Sequence, residues 1–174
     1  MSQAEANEGL LEEVVAAALP VEEFERGPLV GILIGSESDR ERMQPTIDEL
    51  NERGISNELN VLSAHRHPAE VAEYSSRAAV RGVRVIVAAA GMSAALPGAV
   101  AANTDLPVIG VPLTSSKTAA GGLDAILSIV QMPPGVPVAC VSLDGAKNAA
   151  ILAAKILAQG GGYPEAPPRP QAVT

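Results

Sequence analysis

Two histidines occur in the 174 residues, and both lie in one six-residue segment, Ser63-Ala64-His65-Arg66-His67-Pro68. Imidazole is the side chain that gains and loses a proton near neutral pH, so acid/base chemistry is sought here first. Pro68 suits the first position of a helix. The residues before it then sit at a helix N-terminus, where Arg66 and Ser63 could hold an anion. Two histidines one residue apart on an extended segment face opposite ways, so at most one of them serves catalysis. The opposing reading is a solvated loop in which the histidines cap the helix or pair with Glu70. A second segment, Gly35-Ser36-Glu37-Ser38-Asp39, has the composition of a phosphate cradle: a glycine for a tight turn, then hydroxyls and free amides at a helix start. It lacks the G-x-x-x-x-G-K pattern of nucleoside triphosphatases. Asp39 is suited to ribose hydroxyls, although Ser38 or Asp39 could equally be a helix cap and nothing more. Lys117, in the run Pro112-Leu113-Thr114-Ser115-Ser116-Lys117, is either a second anion contact or a solvated lysine. Met92-Ser93 has no chemistry assignable from first principles, and Cys140, in an apolar run, reads as a small buried hydrophobe.

These segments follow short apolar runs, and the runs fix where they must stand. Leu29–Ile34, Leu59–Leu62, Val85–Ala89, Val108–Val111 and Val136–Val141 are rich in β-branched residues and lack alternation, as strands covered on both faces do. Helical spacing falls between them: Met43, Ile47 and Leu50; Val71, Tyr74 and Ala78; an Ala-rich stretch from Ala94 to Asn103; Leu123, Ile126, Leu127 and Val130; and Ala149 to Leu157. Five strand and helix alternations predict an α/β, doubly wound parallel sheet. In such a sheet ligands bind beyond the carboxyl ends of the strands, which is where the glycines, hydroxyls and histidines fall. Pro45 predicts a late start or a bend in the first helix. Ahead of the sheet, Leu10, Leu11, Val14, Val15, Ala18 and Leu19 recur at helical spacing opposite Glu5, Glu8, Glu12 and Glu13. The expected organisation is a helical extension over 1–28, one domain over 29–158, and a flexible tail over 159–174.

Composition narrows the function classes. Apolar residues make up 47% of the chain, and 16 Gly with 14 Pro stay below the roughly 25–30% of low-complexity sequences. A net charge of −8 leaves no basic surface for a long nucleic acid. No apolar stretch reaches the roughly 18 residues that span a bilayer, and the acidic N-terminal stretch is unlike a secretory signal. A soluble cytoplasmic protein without nucleic-acid or membrane partners is expected. The single cysteine excludes an intrachain disulfide and a cysteine metal cluster. With Phe24, Tyr74 and Tyr163 as the only aromatics, the core must be aliphatic and Ala-rich, a composition that favours close packing of helices and of subunits.

Taken in order, the blocks resemble the catalytic subunit of phosphoribosylaminoimidazole carboxylase, a family whose bacterial members are N5-carboxyaminoimidazole ribonucleotide mutases. The resemblance covers about residues 29–158. It rests on Gly35-Ser36-x-Ser38-Asp39, Ser63-Ala64-His65-Arg66-x-Pro68, Leu96-Pro97-Gly98, Leu106-Pro107-Val108-Ile109-Gly110-Val111-Pro112, and Gly122-Leu123-Asp124 running into Leu127-Ser128-Ile129-Val130-Gln131-Met132-Pro133. It implies a three-layer flavodoxin-like fold, a homo-octamer, and a purine-pathway reaction on a ribonucleotide and carbon dioxide that needs neither metal nor organic cofactor. In that reaction a carboxyl group moves from the exocyclic nitrogen of an aminoimidazole ribonucleotide to the ring carbon, by decarboxylation and recapture. By matching position, His65 is the acid/base group, Ser36, Ser63 and Arg66 hold the phosphate, and Ser38 and Asp39 the ribose. Gly35, Ala64, Gly91, Met92, Ser93, Ala95 and Leu96 complete the substrate-binding set. One departure stands out: where the bacterial mutases carry Gly-Gly-Ala-Ala-His-Leu-Pro-Gly, this chain has Gly91-Met92-Ser93-Ala94-Ala95-Leu96-Pro97-Gly98, so Ala95 replaces a second active-site histidine. The change is shared in kind with animal-type carboxylases that use carbon dioxide directly, although those carry Lys where Arg66 stands, and Met92 with Ala-Leu-Pro is similar to a pyridinium nucleotide carboxylase of the same fold. Beside the mutase stand a carboxylase using carbon dioxide, a sister carboxylase or decarboxylase of another nucleotide or azole, and a non-catalytic nucleotide sensor.

Overall fold

The computed structural model describes residues 27–159. The amphipathic helix expected over residues 10–19 and the tail expected from Gly160 lie outside them. Five strands are joined by helices in strict alternation: β1 Val30–Ile34, α1 Arg40–Glu52, β2 Asn57–Val61, α2 Pro68–Arg77, β3 Val85–Gly91, α3 Leu96–Ala101, β4 Val108–Leu113, α4 Leu123–Val130, β5 Ala139–Cys140 and α5 Ala146–Gln159. The strands form one parallel sheet in the order β2-β1-β3-β4-β5, the flavodoxin-like order, in which the winding direction reverses between β1 and β3.

Successive strand residues point to opposite faces, and the core divides accordingly. Ile32 and Ile34 pack with Met43 and Leu50 of α1 and with Ala149, Ala150 and Ala153 of α5. Leu33 turns the other way, toward Val71 of α2, Leu96 and Val100 of α3, and Ala125 and Ile129 of α4. All three β1 side chains are fully buried, and each contributes roughly 1.5–3 kcal/mol through the apolar surface it removes from water. Close approach of the layers needs small residues. A Cβ on Gly31 would overlap the Tyr74 phenol, and one on Gly91 would stand 2.8 Å from the Leu113 carbonyl of the neighbouring strand. Tyr74 is fixed over Gly31 by donating to Glu58 Oε1 at 2.7 Å, which also pairs with Arg81 at 2.7 Å. The Arg81 guanidinium stacks 4.6 Å from the ring centre. On the opposite face buried Glu49 of α1 accepts from Arg53 Nε at 2.7 Å and pairs with Lys147 of α5 at 3.0 Å, tying the two helices together.

Four expectations need correction. α1 starts at Arg40 and continues through Pro45, with no late start; Pro45 and Glu41, whose carbonyl loses its helical donor, are both exposed, so the missing bond lies on the solvent side of the helix. Only three strands are covered on both faces: β2 is half-buried throughout, and the Val136–Val141 run pairs only at Ala139 and Cys140, because β2 and β5 are the sheet edges. Cys140 is accordingly half-buried, not sealed in the core. The Ala94–Asn103 candidate contracts to Leu96–Ala101. On α4 the buried positions are Ala125 and Ile129, whereas Leu123, Leu127 and Val130 are 47, 47 and 45% exposed and face out. No described helix is long and apolar enough to cross a membrane.

Candidate active site

Parallel register brings the chemical segments to one edge. Ile34 is level with Val61 on one side and Ala89 on the other, so the loops after β1, β2 and β3 leave adjacent strands, each roughly 4.8 Å from the next. They surround the point where the winding reverses, the usual ligand crevice of such sheets.

The loop after β1 forms a short 3-10 turn, Glu37–Asp39, ahead of α1. Ser36 caps it, accepting from the Ser38 amide at 3.4 Å and from the Ser38 hydroxyl at 3.0 Å. Asp39 makes no side-chain cap bond, so the purely structural role open to Ser38 and Asp39 falls to Ser36 instead. Asp39 is half-buried. Burial pushes its carboxyl above the ordinary value, against the opposing pull of Arg42 and the Ser36 backbone. Around Gly35 nothing stands within 4 Å of where a Cβ would be, which leaves the backbone open to a ligand.

The loop after β2 turns on the Ser63 carbonyl, which accepts from the Arg66 and His67 amides at 3.2 and 2.8 Å. Pro68 opens α2 as its spacing predicts. Arg66 reaches back across the crevice and donates to the Gly35 carbonyl at 3.2 Å, a direct bond between the two anion-binding candidates. Ser63 is buried, Ala64 half-buried, and His65, Arg66 and His67 are exposed. His67 stands at the N-cap of α2 without a side-chain cap bond, and no His–Glu70 pair occurs among the described residues, so the structural roles open to the histidines are not taken up.

The loop after β3 is strained. Met92 adopts φ 57, a left-handed backbone that costs an unbranched residue about 1 kcal/mol or more. Met92 and Ser93 are exposed, Gly91 and Ala95 half-buried, and Leu96 buried. Ala95 is the N-cap of α3 and provides no cap bond. Lys117 lies one strand further along, after β4; its described bond is from its backbone amide to Ser115 Oγ at 3.1 Å, and among the described residues no hydrogen bond or ion pair joins it to the first two loops.

The sequence reading missed a polar cluster linking α1 to the loops after β4 and β5. Arg42 Nη1 donates to Thr114 Oγ1 at 2.8 Å and to Asp144 Oδ1 at 3.2 Å. The Thr114 amide donates to Asp144 Oδ1 at 2.9 Å. Burial pushes the Asp144 carboxyl up, but the Thr114 bonds and Arg42 outweigh it and hold the group below the usual range. The signals were the Asp144-Gly145 turn pair and an arginine three residues after Asp39.

A family model described as AIR carboxylase matches residues 29–162, which takes in all of these loops. The chain belongs to the AIR carboxylase family. Among its family relatives, the N5-carboxyaminoimidazole ribonucleotide mutase of Pyrococcus horikoshii is 53% identical over 138 residues, 79% of this chain and 76% of that protein. The enzyme of the same name from Thermotoga maritima is 53% identical over 79% of this chain and 78% of its own length. Within the family's solved structures, the crystal structure of Treponema denticola PurE superposes with a TM-score of 0.66 at 34% identity, covering 76% of this chain and 81% of that one. The AIR carboxylase fold, with its five-stranded parallel sheet, is therefore the scaffold on which this site is built.

Proposed function

We propose that this chain is an N5-carboxyaminoimidazole ribonucleotide mutase of purine biosynthesis, an isomerase-type enzyme. The observation that carries the reading is the Arg66–Gly35 bond, which closes the loops after β1 and β2 into one anion-binding rim with His65 open beside it. Its family relatives support the activity. Ser36, Ser63 and Arg66 hold the substrate phosphate, since hydroxyls and a guanidinium at helix starts favour a dianion. Ser38 and Asp39 take the ribose, and Gly35, Ala64 and the Gly91–Leu96 segment enclose the ring.

The nitrogen–carboxyl bond breaks to release carbon dioxide inside the pocket, and the electron pair left on nitrogen takes a proton from His65. The ring carbon, made nucleophilic by its amino group, attacks the carbon dioxide, and His65 then removes the proton from that carbon, which returns the histidine to its starting state. The scheme calls for neither metal nor organic cofactor. A phosphorylated ribonucleotide substrate supports a cytoplasmic location for the reaction. The exposed Leu123, Leu127 and Val130 stripe on α4, beside the buried Asp124 Oδ1 that has no partner among the described residues, supports assembly of copies of this chain into a homo-octamer.

Ala95, at the position of the family's second histidine, favours one other reading: a carboxylase or decarboxylase acting on a different ring or on carbon dioxide directly. The deciding experiment incubates the protein with the N5-carboxy ribonucleotide, and separately with aminoimidazole ribonucleotide and bicarbonate. Transfer from the first without dependence on bicarbonate supports the mutase. Product only in the second supports the carboxylase that uses carbon dioxide directly, and product in neither removes both of these and leaves the enzyme of a different ring.

A further inference from the structure

The Arg42, Thr114 and Asp144 cluster has no part in the scheme above, yet it adjoins the ribose side of the site. Arg42 follows Asp39 by three residues at the start of α1, a spacing that places two side chains on one helix face. The same spacing, two residues earlier, joins Arg40 to Glu37 as a direct ion pair, so the backbone here permits such a pair. Arg42 nevertheless pairs with Asp144 at 3.2 Å and with the Thr114 hydroxyl at 2.8 Å, and no Arg42–Asp39 ion pair forms among the described residues. Asp144 is itself held in place, its backbone left-handed at φ 53, its amide donating to the Pro112 carbonyl at 2.8 Å, and its carboxylate taking the Thr114 amide at 2.9 Å.

We propose that Thr114 and Asp144 form a tether that holds Arg42 back from Asp39, making Arg42 a positioning residue that leaves the Asp39 carboxylate uncovered by a guanidinium and able to accept a ribose hydroxyl while a positive charge stays beside it. A free arginine takes a carboxylate in bidentate fashion and would occupy both oxygens. With the tether in place the guanidinium offsets the burial of Asp39 without competing for its lone pairs. The other charged groups on this edge do not replace it, since Arg40 is spent on Glu37 and Arg66 reaches the Gly35 carbonyl.

The inference rests on the ribonucleotide reading, and its test separates the two. Calorimetric titration of the full-length chain with ribose 5-phosphate and with inorganic phosphate gives a ribose contribution as the ratio of the two affinities. Asp144→Asn keeps a side chain that tolerates a left-handed backbone but drops the charge that holds Arg42. Thr114→Val cuts the tether at its other end. Each weakens ribose 5-phosphate about tenfold and phosphate less than about twofold. Adding Arg42→Ala to Asp144→Asn recovers most of the loss, because no guanidinium remains to cover Asp39. Equal weakening of both ligands, or a double variant no better than the single one, overturns the tether. A wild type that binds ribose 5-phosphate no better than phosphate overturns the ribose site and the tether with it.

Discussion

His65 makes no hydrogen bond within the described residues and lies exposed on its loop, so its orientation must come from the bound substrate. Replacing it with Asn keeps roughly the size and polarity but removes the acid/base group. His65→Asn should therefore bind the ribonucleotide near normally and turn it over about 10²-fold or more slowly. Wild-type turnover in that variant, measured by carboxyl transfer, would place the acid/base elsewhere. Arg66→Ala removes a charge-assisted contact, and should weaken the intact ribonucleotide far more than its dephosphorylated form; a parallel titration of the two reads this directly. At Ala95 an imidazole must fit where a methyl now stands. If the missing histidine only positions the carboxyl group, Ala95→His alters the rate modestly; if the space admits a different ring, Ala95→His abolishes the native activity while phosphate and ribose still bind. The rim residues were legible in the sequence because glycine, serine, arginine and histidine were crowded after apolar runs. The Arg42–Thr114–Asp144 cluster was not, since its members lie 72 and 102 positions apart and only the strand order brings them together.

Among the elements, α1 and α5 depend on a buried charge. Burial pushes the Glu49 carboxyl up, but the bonds from Arg53 and Lys147 outweigh it and hold the group below its ordinary value. A carboxyl depressed in the folded state contributes stability that is present above its unfolded value, near 4.3, and lost as the pH falls through the folded one. Urea unfolding followed from pH 7 to pH 3 should show this loss, and Glu49→Gln should flatten it. Arg53→Met, which leaves the buried carboxylate with Lys147 alone, should cost about 1–3 kcal/mol at pH 7. Gly91→Ala should likewise destabilise, by forcing β3 from the Leu113 carbonyl of β4. The central strands were readable because burial on both faces demands unbroken aliphatic runs. β5 was overextended because it is a sheet edge: the apolar run Val136–Val141 pairs with one neighbour, at Ala139 and Cys140 alone, and apolarity by itself does not say how far a strand is paired.

At the scale of the whole molecule, the family resemblance leads to the expectation of eight copies, which the outward leucines of α4 and the small-residue composition would permit, and light scattering at micromolar concentration that reports a monomer would remove it. The doubly wound architecture followed from the alternation of runs, whereas the leading segment was readable only from its helical spacing and the tail only from its composition. Tyr74 offers an optical consequence of the packing over Gly31. The chain has no tryptophan and two tyrosines, so its near-ultraviolet absorbance is almost wholly phenolic. Burial, then the bond to Glu58, push the Tyr74 hydroxyl well above the ordinary range. A phenol with a raised folded value favours the fold below its unfolded value, near 10, and loses that contribution as the pH climbs further. In an alkaline titration followed at the phenolate band, the Tyr74 chromophore should stay dark past the point at which a free tyrosine has turned over, then appear together with the loss of helical dichroism. The protein thus carries its own unfolding indicator, with no label added.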